Sequence, residues 1–398
     1  MPETDAGFFQ ETTIIMKYYI SCGEASGDLH AAELIKCLRR RDPQAQFSFL
    51  GGDACTEATG TQPLIHIREM AFMGFSEVLR HLPDVWRNLR TAKRTLEQEK
   101  PDALILVDYP SFNLKLAAKA KALGIPVFYY ISPKIWAWKE YRIKNIRKEW
   151  RGKKIKKLVT AGYAIFPFEP DFYARHGMQV EYVGNPSVEE LETRLEAAPP
   201  REDFLKANRL RDRKIIAMLP GSRRSEIRNN LQVMCRAVDM MPQYRGVIAG
   251  APGIEDEFYR RLTNLPVLHG QTYSLLRHSH AALVTSGTAT LEAALARVPQ
   301  VVTYRANGSK LSYNIMKRLL KVNYVSLPNL IAGREIIPEQ LLHMCTPDAV
   351  GEKLAAILPD REPRRLQLEG YDDMRARLGN NHAADRTTEL IIKALTNK

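Results

Sequence analysis

The sequence is poor in the residues that build metal and redox centres. Only five of its 398 residues are cysteines, and no two of them are spaced as Cys-x-x-Cys. Zinc sites and redox-active dithiols need such close spacing. There is no Asp-x-Asp pair, and His278 and His280, two residues apart at a predicted helix end, do not share a face. We therefore expect reduced cytosolic thiols, no cofactor and chemistry without a metal ion.

Long apolar runs are missing as well. No run reaches the roughly eighteen apolar residues that a membrane-spanning helix needs. Residues 1–16 contain Glu3, Asp5 and Glu11 where a signal peptide would have its apolar core. The sequence therefore predicts a cytoplasmic protein that does not span a membrane.

The charge is strongly unbalanced. Basic residues outnumber acidic ones by 58 to 45, which gives a formal net charge of +13. Such an excess favours an anionic partner, whether nucleic acid, phosphorylated substrate or acidic lipid. Much of it lies in residues 139–157, and the ordinary interpretation of such a run is a solvated helix face plus a basic loop. Because this run has no zinc-finger or RNP-type motif, nucleic acid is the least favoured partner.

Short apolar runs alternate with helix-length amphipathic segments, which indicates an α/β protein built from βαβ units. The runs that predict strands are residues 18–22, 103–107, 127–131, 214–219, 246–249, 281–284 and 300–303. The pattern restarts after a charged, proline-containing stretch, so two sheets are expected. We predict one domain over residues 1–187, a second over 188–365, and C-terminal helices over 366–398.

The turn after the predicted strand 214–219 is suited to an anion. It contains Gly221, Ser222 and Arg223 and leads into a helix. Glycine permits close approach of the backbone, the helix N-terminus offers free N–H groups, and a guanidinium can donate two hydrogen bonds to phosphate oxygens. A diphosphate fits this arrangement. An ordinary turn with Ser222 as the N-cap is the alternative.

A second glycine-containing turn follows the predicted strand 281–284. Ser286, Gly287 and Thr288 open a helix, and Glu292 lies about one turn inside it. Small hydroxyl side chains can bind phosphate, and a carboxylate at that depth can accept hydrogen bonds from ribose. Capped helices often begin with Ser-Gly-Thr, so this turn alone is a moderate signal. Together the two turns predict a nucleotide pocket.

The first half has loops of its own at strand ends. Residues 23–28 read Gly-Glu-Ala-Ser-Gly-Asp, which suits a phosphate or sugar but lacks the Gly-x-Gly-x-x-Gly of dinucleotide-binding proteins. A dehydrogenase is therefore disfavoured. Asp108 follows the strand 103–107 and is a candidate general base. A carboxylate that caps the turn before Pro110 is an equal alternative.

In order along the chain, these loops resemble those of the lipid-A-disaccharide synthase family, whose members are glycosyltransferases of the GT-B fold. The resemblance is carried by GEASGD at 23–28, MGFSEVL at 73–79, DYPSFN at 108–113, SPKIWAW at 132–138, FPFE at 166–169, LPGSRRSEI at 219–227, SGTATLE at 286–292 and VSLPNLIAGRE at 325–335. These motifs cover both predicted domains.

The resemblance implies two Rossmann-like domains facing across a cleft. It implies transfer of 2,3-diacylglucosamine from its UDP ester to the 6-hydroxyl of 2,3-diacylglucosamine 1-phosphate, which gives a β-1,6 disaccharide and UDP with inversion. The C-terminal helices would pack on the first domain or on a partner chain, so a homodimer is conceivable. A UDP-sugar epimerase of the same fold is the alternative function.

The resemblance also implies roles for particular residues. Asp108 would be the base and Asn329 would line the active site. The diphosphate and ribose of the donor would be held by the two turns, and the acceptor by the first loop. The donor set is Gly221, Ser222, Arg223, Ser286, Gly287, Thr288 and Glu292, and the acceptor set is Glu24, Ser26 and Asp28. One departure is Asn185, where the family more often has histidine.

Because the substrates that the resemblance implies are acylated, the apolar segment 70–89 has a second interpretation. Its helical stripe includes Phe75, Val78, Leu79, Leu82, Val85 and Trp86, and arginines flank it. A helix buried in the core is the ordinary interpretation of such a stripe. With the resemblance, we expect it to contact acyl chains and the anionic surface of the inner membrane, reinforced by the basic run 139–157. A peripheral position on the membrane follows from this interpretation.

Overall fold

A computed structural model describes residues 15–70, 82–133, 151–305 and 324–396. The α/β class and the two sheets predicted from the sequence are confirmed, and within the described residues all strand pairs are parallel. Parallel strands are joined by crossovers, usually helices, that cover both faces of the sheet. Central strands are accordingly largely apolar, as in the fully buried strand Ala103–Val107.

The first sheet has seven strands in the order β3-β2-β1-β4-β5-β6-β7. They are Lys17–Ser21 (β1), Gln46–Gly51 (β2), Ile65–His66 (β3), Ala103–Val107 (β4), Val127–Tyr130 (β5), Ala161–Ala164 (β6) and Val180–Tyr182 (β7). The described helices of this half are Ala25–Arg41 (α1), Asp53–Thr59 (α2), Leu82–Glu99 (α3), Pro110–Ala122 (α4), Arg151–Leu158 (α5), Glu169–Arg175 (α6) and Pro186–Glu196 (α7).

The second sheet has six strands in the order β10-β9-β8-β11-β12-β13. They are Lys214–Leu219 (β8), Tyr244–Gly250 (β9), Val267–His269 (β10), Ser279–Thr285 (β11), Gln300–Tyr304 (β12) and Glu339–Leu341 (β13). The helices described here are Arg201–Ala207 (α8), Arg224–Asp239 (α9), Asp256–Arg260 (α10), Thr272–Arg277 (α11), Thr288–Leu295 (α12), Leu327–Ala332 (α13), Pro347–Ala356 (α14), Glu362–Leu378 (α15) and Ala383–Thr396 (α16).

The last two helices connect the halves. Helix α15 packs on α13 and α12 of the second half, whereas α16 packs on α1 of the first. Arg41 on α1 pairs with Asp385 at 3.1 Å, and Arg386 on α16 pairs with Glu181 on β7 at 2.6 Å. The expected return of the C-terminal helices to the first half is therefore confirmed. The predicted boundary at residue 366 falls inside α15.

The chain passes from the first sheet to the second at residue 185, where the backbone is closely packed and held by hydrogen bonds. Asn185 is buried, its side-chain oxygen accepts the N–H of Ser187 at 3.0 Å, and its amide donates to the carbonyl of Ile165 at 3.0 Å. It thus caps α7, at the position where the family resemblance implies histidine. Gly184, at a φ of 105°, passes so close to Asn381 that a Cβ would lie 2.3 Å from its carbonyl oxygen. The predicted boundary at residue 187 lies in the first turn of α7.

No helix among the described residues has the length and apolar character needed to cross a membrane.

Candidate active site at the carboxyl ends of the strands

The first loop and the candidate base are neighbours. Strands β1 and β4 pair in parallel, so the loops after them leave the same edge of the sheet. A small pocket at that edge is lined by Gly23, Glu24, Ser26, Gly27, Val107, Asp108 and Tyr109. The structure therefore brings Glu24, Ser26 and Asp108 together, as the loop positions suggest.

Asp108 adopts an unusual backbone conformation. Its φ is 45° and that of Tyr109 is 48°, two consecutive left-handed residues that are not glycine. Such conformations are unfavourable by about 1–3 kcal/mol each and persist where their surroundings enforce them. The Tyr109 ring lies over Gly23, where a Cβ would come within 2.4 Å of it. The N-cap residue of helix α4 is Tyr109, and its side chain makes no capping hydrogen bond.

Asp28 was predicted to bind an acceptor, and the structure corrects this assignment. The residue is only 4% exposed. Its carboxylate accepts the N–H groups of Gly52 at 2.6 Å, Ala54 at 3.0 Å and Cys55 at 3.3 Å. These are free donors at the start of helix α2, which a buried carboxylate satisfies well. Asp28 thus fastens the first loop to α2 and does not face the pocket.

A group of potential metal ligands surrounds Asp28. The ligand atoms of Cys22, Asp28 and Cys55 lie within 4.8 Å of one another, and all three residues are buried. The Cys22 thiol donates to the Leu50 carbonyl at 3.3 Å, and the Cys55 thiol donates to the Asp28 carbonyl at 3.4 Å. A hydrogen bond with Cys22, followed by burial, raises the pKa of Cys55 far above its usual range. A protonated Cys55 thiol beside a positive helix N-terminus does not suit a cation.

The Gly221 turn has the predicted form, with one addition. Helix α9 starts at Arg224, and the Glu226 carboxylate folds back to accept the N–H groups of Ser222 at 3.1 Å and Arg223 at 3.4 Å. Gly221, at a φ of 116°, permits this because a Cβ there would lie 2.7 Å from Glu226. The alternative of Ser222 as the N-cap is therefore not observed.

Arg223 is exposed next to this internal anion. Its side chain is 76% accessible, and its guanidinium lies 3.3 Å from the Glu226 carboxylate. Backbone N–H groups at a helix start, together with a guanidinium, form a ready anion site. In this structure a carboxylate of the same chain occupies it.

The second turn lies beside the first, because β11 pairs with β8. The Ser286 hydroxyl donates to the Val325 carbonyl at 3.0 Å. Glu292 is half-buried and accepts the Tyr273 hydroxyl at 3.3 Å. Burial raises the pKa of Glu292 above its usual value. A partly desolvated carboxylate in this position can accept hydrogen bonds from a ligand's hydroxyl groups.

Asn329 requires a second correction. It was predicted to line the active site, but it is 0% exposed. Its oxygen accepts the N–H groups of Ile336 at 2.7 Å and Ile337 at 3.0 Å, and its amide donates to the Ile337 carbonyl at 2.9 Å and to Glu339 at 2.9 Å. Because both ends of the amide are used internally, Asn329 shapes the loop before β13 and is buried in this structure.

Glu339 is a residue that the sequence analysis missed. Its carboxylate accepts the N–H of Val325 at 3.1 Å, the N–H of Ser326 at 3.0 Å and the hydroxyl of Ser326 at 2.5 Å. It thereby holds the segment whose carbonyl receives the Ser286 hydroxyl. No local sequence pattern marks Glu339, since its partners lie 10 to 14 residues before it.

The predicted membrane stripe is described in part. Phe75, Val78 and Leu79 lie outside the described residues, as do motif 73–79, residues 134–138 of the SPKIWAW motif, and residues 139–150 of the basic run. Leu82 begins helix α3 and Val85 is half-buried. Trp86 is 60% exposed, and the Lys115 ammonium lies 4.7 Å from its ring centroid.

Comparison with known proteins gives a consistent result. The family model for lipid-A-disaccharide synthetase matches residues 18–393. The lipid-A-disaccharide synthase of Myxococcus xanthus is 40% identical over 385 residues, which cover 94% of this chain and 97% of the relative. That of Syntrophotalea carbinolica is 35% identical over 380 residues, 93% of either chain.

Solved structures agree on the fold. A UDP-GlcNAc 2-epimerase from Neisseria meningitidis, bound to UDP-GlcNAc, superposes with a TM-score of 0.64 at 14% identity and covers 96% of this chain and 100% of its own. The glycotransferase of kitacinnamycin superposes with a TM-score of 0.61 at 14% identity and covers 96% of this chain and 100% of its own. The predicted GT-B arrangement is thereby confirmed, while identities this low carry no function.

We predict that Asp28→Asn lowers the free energy of unfolding by about 2 kcal/mol, because an amide cannot replace a carboxylate that accepts three N–H groups. Urea unfolding at neutral pH measures the change. Asp53→Asn is the matched control, since Asp53 opens the same helix but its side chain is 78% exposed, and its unfolding midpoint should stay close to wild type. An Asp28→Asn protein of wild-type stability would show that the carboxylate does not hold α2.

Proposed function

The chain belongs to the lipid-A-disaccharide synthase family of glycosyltransferases, and we propose that it joins UDP-2,3-diacylglucosamine to 2,3-diacylglucosamine 1-phosphate. The acceptor 6-hydroxyl oxygen bonds to C1 of the donor sugar as the bond from C1 to the diphosphate oxygen breaks. UDP leaves, and attack from the opposite face inverts the configuration at C1. The observation that carries the proposal is the pocket in which Asp108 meets Glu24 and Ser26.

The donor is assigned to the second sheet. The Gly221 and Ser286 turns end adjacent strands, β8 and β11, and both lead into helices. We place the diphosphate on the first of these N-termini, with Ser286, Gly287 and Thr288 beside it and ribose at Glu292. The family to which the chain belongs supports a sugar nucleotide as the donor.

Binding of the diphosphate requires the Glu226 carboxylate to leave. It accepts the N–H groups of Ser222 and Arg223, which the phosphate oxygens would need. Two anions cannot share one helix N-terminus without repulsion. The departing carboxylate would also release the Arg223 guanidinium, which then donates to phosphate. The negative charge that develops on leaving UDP is stabilised by this cation and the helix N-terminus, so no metal ion is required in the proposed mechanism.

The acceptor is assigned to the first sheet. We propose that Asp108 takes the proton of the 6-hydroxyl, a general-base role that requires a carboxylate within hydrogen-bond reach of that oxygen. Glu24 and Ser26 line the same pocket and are the proposed acceptor contacts. Asp28 and Asn329 have no place in this set, because both are buried and engaged elsewhere.

A UDP-sugar epimerase is the second candidate, because the Neisseria meningitidis structure of this fold is such an enzyme. The two activities differ in their need for an acceptor: an epimerase converts a UDP-sugar alone, whereas a transferase requires the second sugar. Sequence identity favours the transferase, because the epimerase is only 14% identical to this chain, whereas the Myxococcus xanthus synthase is 40% identical to it.

We also propose that the protein works at the cytoplasmic surface of the inner membrane, because both proposed substrates carry acyl chains. Trp86 is the described part of the predicted contact. An exposed indole with the Lys115 ammonium over its ring combines an apolar surface with a cation, which suits an interface rich in anionic lipid.

The direct test supplies the purified protein with both acylated sugars. We expect disaccharide 1-phosphate and UDP in equal amounts by mass spectrometry, and no change in the donor when the acceptor is omitted. Conversion of the donor alone would support the epimerase, and absence of any product would refute both.

Asp108→Asn is the paired variant in this assay. It should lose at least about a hundredfold in kcat, since the amide cannot take the proton, and keep the UDP affinity of the wild type. Activity retained in this variant would move the role of base to another residue of the pocket, with Glu24 as the first candidate.

Arg223→Ala should weaken UDP binding about tenfold or more and lower kcat as well, because the guanidinium serves the bound diphosphate and the leaving group. Isothermal titration with UDP measures the first effect. Arg224→Ala is the matched control: Arg224 opens the same helix but pairs with Glu255 at 2.5 Å and lies over the Phe258 ring. Equal UDP affinity in the two variants would place the diphosphate elsewhere.

Trp86→Ala should weaken binding to phosphatidylglycerol-containing vesicles roughly tenfold, as expected for the loss of one large side chain from an interface. Co-sedimentation with vesicles measures it, and pure phosphatidylcholine vesicles should bind less in every case. Leu366→Ala on α15 is the control, because Leu366 is also exposed, at 52%, but lies in the C-terminal helices. Unchanged vesicle binding by Trp86→Ala would remove Trp86 from the membrane contact.

A further inference from the structure

Two buried side chains converge on the backbone carbonyl of Asp108. The Tyr129 hydroxyl donates to it at 2.7 Å, and the Asn113 amide donates at 2.8 Å. Both residues are 0% exposed. Tyr129 comes from strand β5 and Asn113 from helix α4, so the carbonyl is held from two separate elements.

Both donors are themselves fixed. Tyr129 pairs with Leu106 across β5 and β4, in the centre of the sheet. The Asn113 oxygen accepts the Ser21 hydroxyl at 2.7 Å, and the Asn113 amide also lies 3.2 Å from the Ser21 carbonyl. Strand β1 therefore orients the amide that reaches Asp108. Strands β5 and β1 and helix α4 thus contribute, directly or through Asn113, to the position of one carbonyl.

The carbonyl that Tyr129 and Asn113 contact is that of Asp108, in the strained part of the pocket. Asp108 and Tyr109 are both left-handed, and a free loop would relax from this conformation. Two strong donors on the carbonyl oppose that relaxation, since turning the peptide would break both of these hydrogen bonds in a buried site. The same backbone position fixes the Cα–Cβ bond from which the Asp108 carboxylate extends. A restraint on the carbonyl is therefore also a restraint on the carboxylate.

We propose that Tyr129 and Asn113 are positioning residues that aim the Asp108 carboxylate into the pocket. The inference depends on the proposed role of Asp108 as the base. Neither side chain needs to touch a substrate for this role. Loss of the Tyr129 hydroxyl leaves the carbonyl with fewer donors, and the carboxylate then samples orientations out of reach of the acceptor hydroxyl.

The test is Tyr129→Phe, which removes one oxygen and keeps the ring. General-base catalysis depends on a separation of about 3 Å, and a displacement of about 1 Å can reduce the rate a hundredfold. We expect kcat to fall at least about tenfold, with KM for both sugars and the affinity for UDP within about twofold of wild type. Ground-state binding is spared because the variant changes only the aim of the base.

Tyr19→Phe is the matched control. Tyr19 is also a 0% exposed tyrosine of the first sheet, and its hydroxyl donates to the Ala92 carbonyl at 3.3 Å, away from Asp108. This variant loses a buried hydrogen bond of the same kind and should keep the kcat of wild type. A comparable decrease of kcat in both tyrosine variants would mean that general destabilisation, and not positioning, lowers the rate, and would overturn the proposal.

Ser21→Ala provides a second test if Tyr129→Phe folds poorly. It removes the hydrogen bond to the Asn113 side-chain oxygen, weakens the orientation of that amide, and should lower kcat in the same direction, again with little change in KM. Wild-type kcat in Tyr129→Phe, or in Ser21→Ala when the tyrosine variant cannot be prepared, would overturn the inference. A wild-type protein that makes no disaccharide, or an active Asp108→Asn variant, would instead refute the proposed function or the proposed base.

Discussion

The structure depends on one property of parallel sheets: all the carboxyl ends of the strands lie along one edge. A loop that follows a strand therefore reaches the same edge as the loops of its neighbours, whatever their distance in sequence. In the first sheet this brings residues 23–28 beside Asp108, about eighty residues later. In the second it brings the Gly221 turn beside Ser286. The candidate site is therefore a consequence of strand order, and the loops supply its chemistry.

Loops at such an edge need support, and the protein uses buried polar side chains to provide it. Asp28 holds the start of α2, Asn113 holds the Asp108 carbonyl, and Asn329 with Glu339 holds the segment before β13. Each satisfies backbone groups that would otherwise be buried without partners. Because these bonds are internal, the loops have a defined shape before any ligand arrives, which reduces the ordering that binding requires.

The sequence predicts some parts of this arrangement better than others. Residues 103–107 and 214–219 were predicted as strands with the bounds observed, because central parallel strands are continuously apolar. The short edge strands β3, β7 and β13 contain polar residues and gave no such signal. The pairing of the two donor-side turns was also predictable from their positions after strands.

The errors have one physical origin. Asp28 and Asn329 occur in the motifs that carry the family resemblance and have functional side chains, so sequence alone suggests ligand contact. Which side of a loop a polar side chain faces is decided by tertiary packing, and here both face inward. The inward contact of Glu226, in contrast, can be recognised from the sequence. Glutamate at the third position of a helix is a known capping pattern.

The separation of base and diphosphate site between two sheets makes the connection between the halves part of the proposed chemistry. The chain crosses near Gly184 and returns between α15 and α16, and the two crossings touch where Gly184 meets Asn381. The Tyr182 hydroxyl donates to the Leu378 carbonyl at 2.7 Å in the same region.

Exposed ion pairs between the halves, such as Arg41 with Asp385, add little to their association, about 0–1 kcal/mol each. The shared apolar core, which includes Ile391 and residues of both halves, contributes more. The distance between Asp108 and the Gly221 turn is therefore determined mainly by packing at these crossings, and only weakly by surface charge.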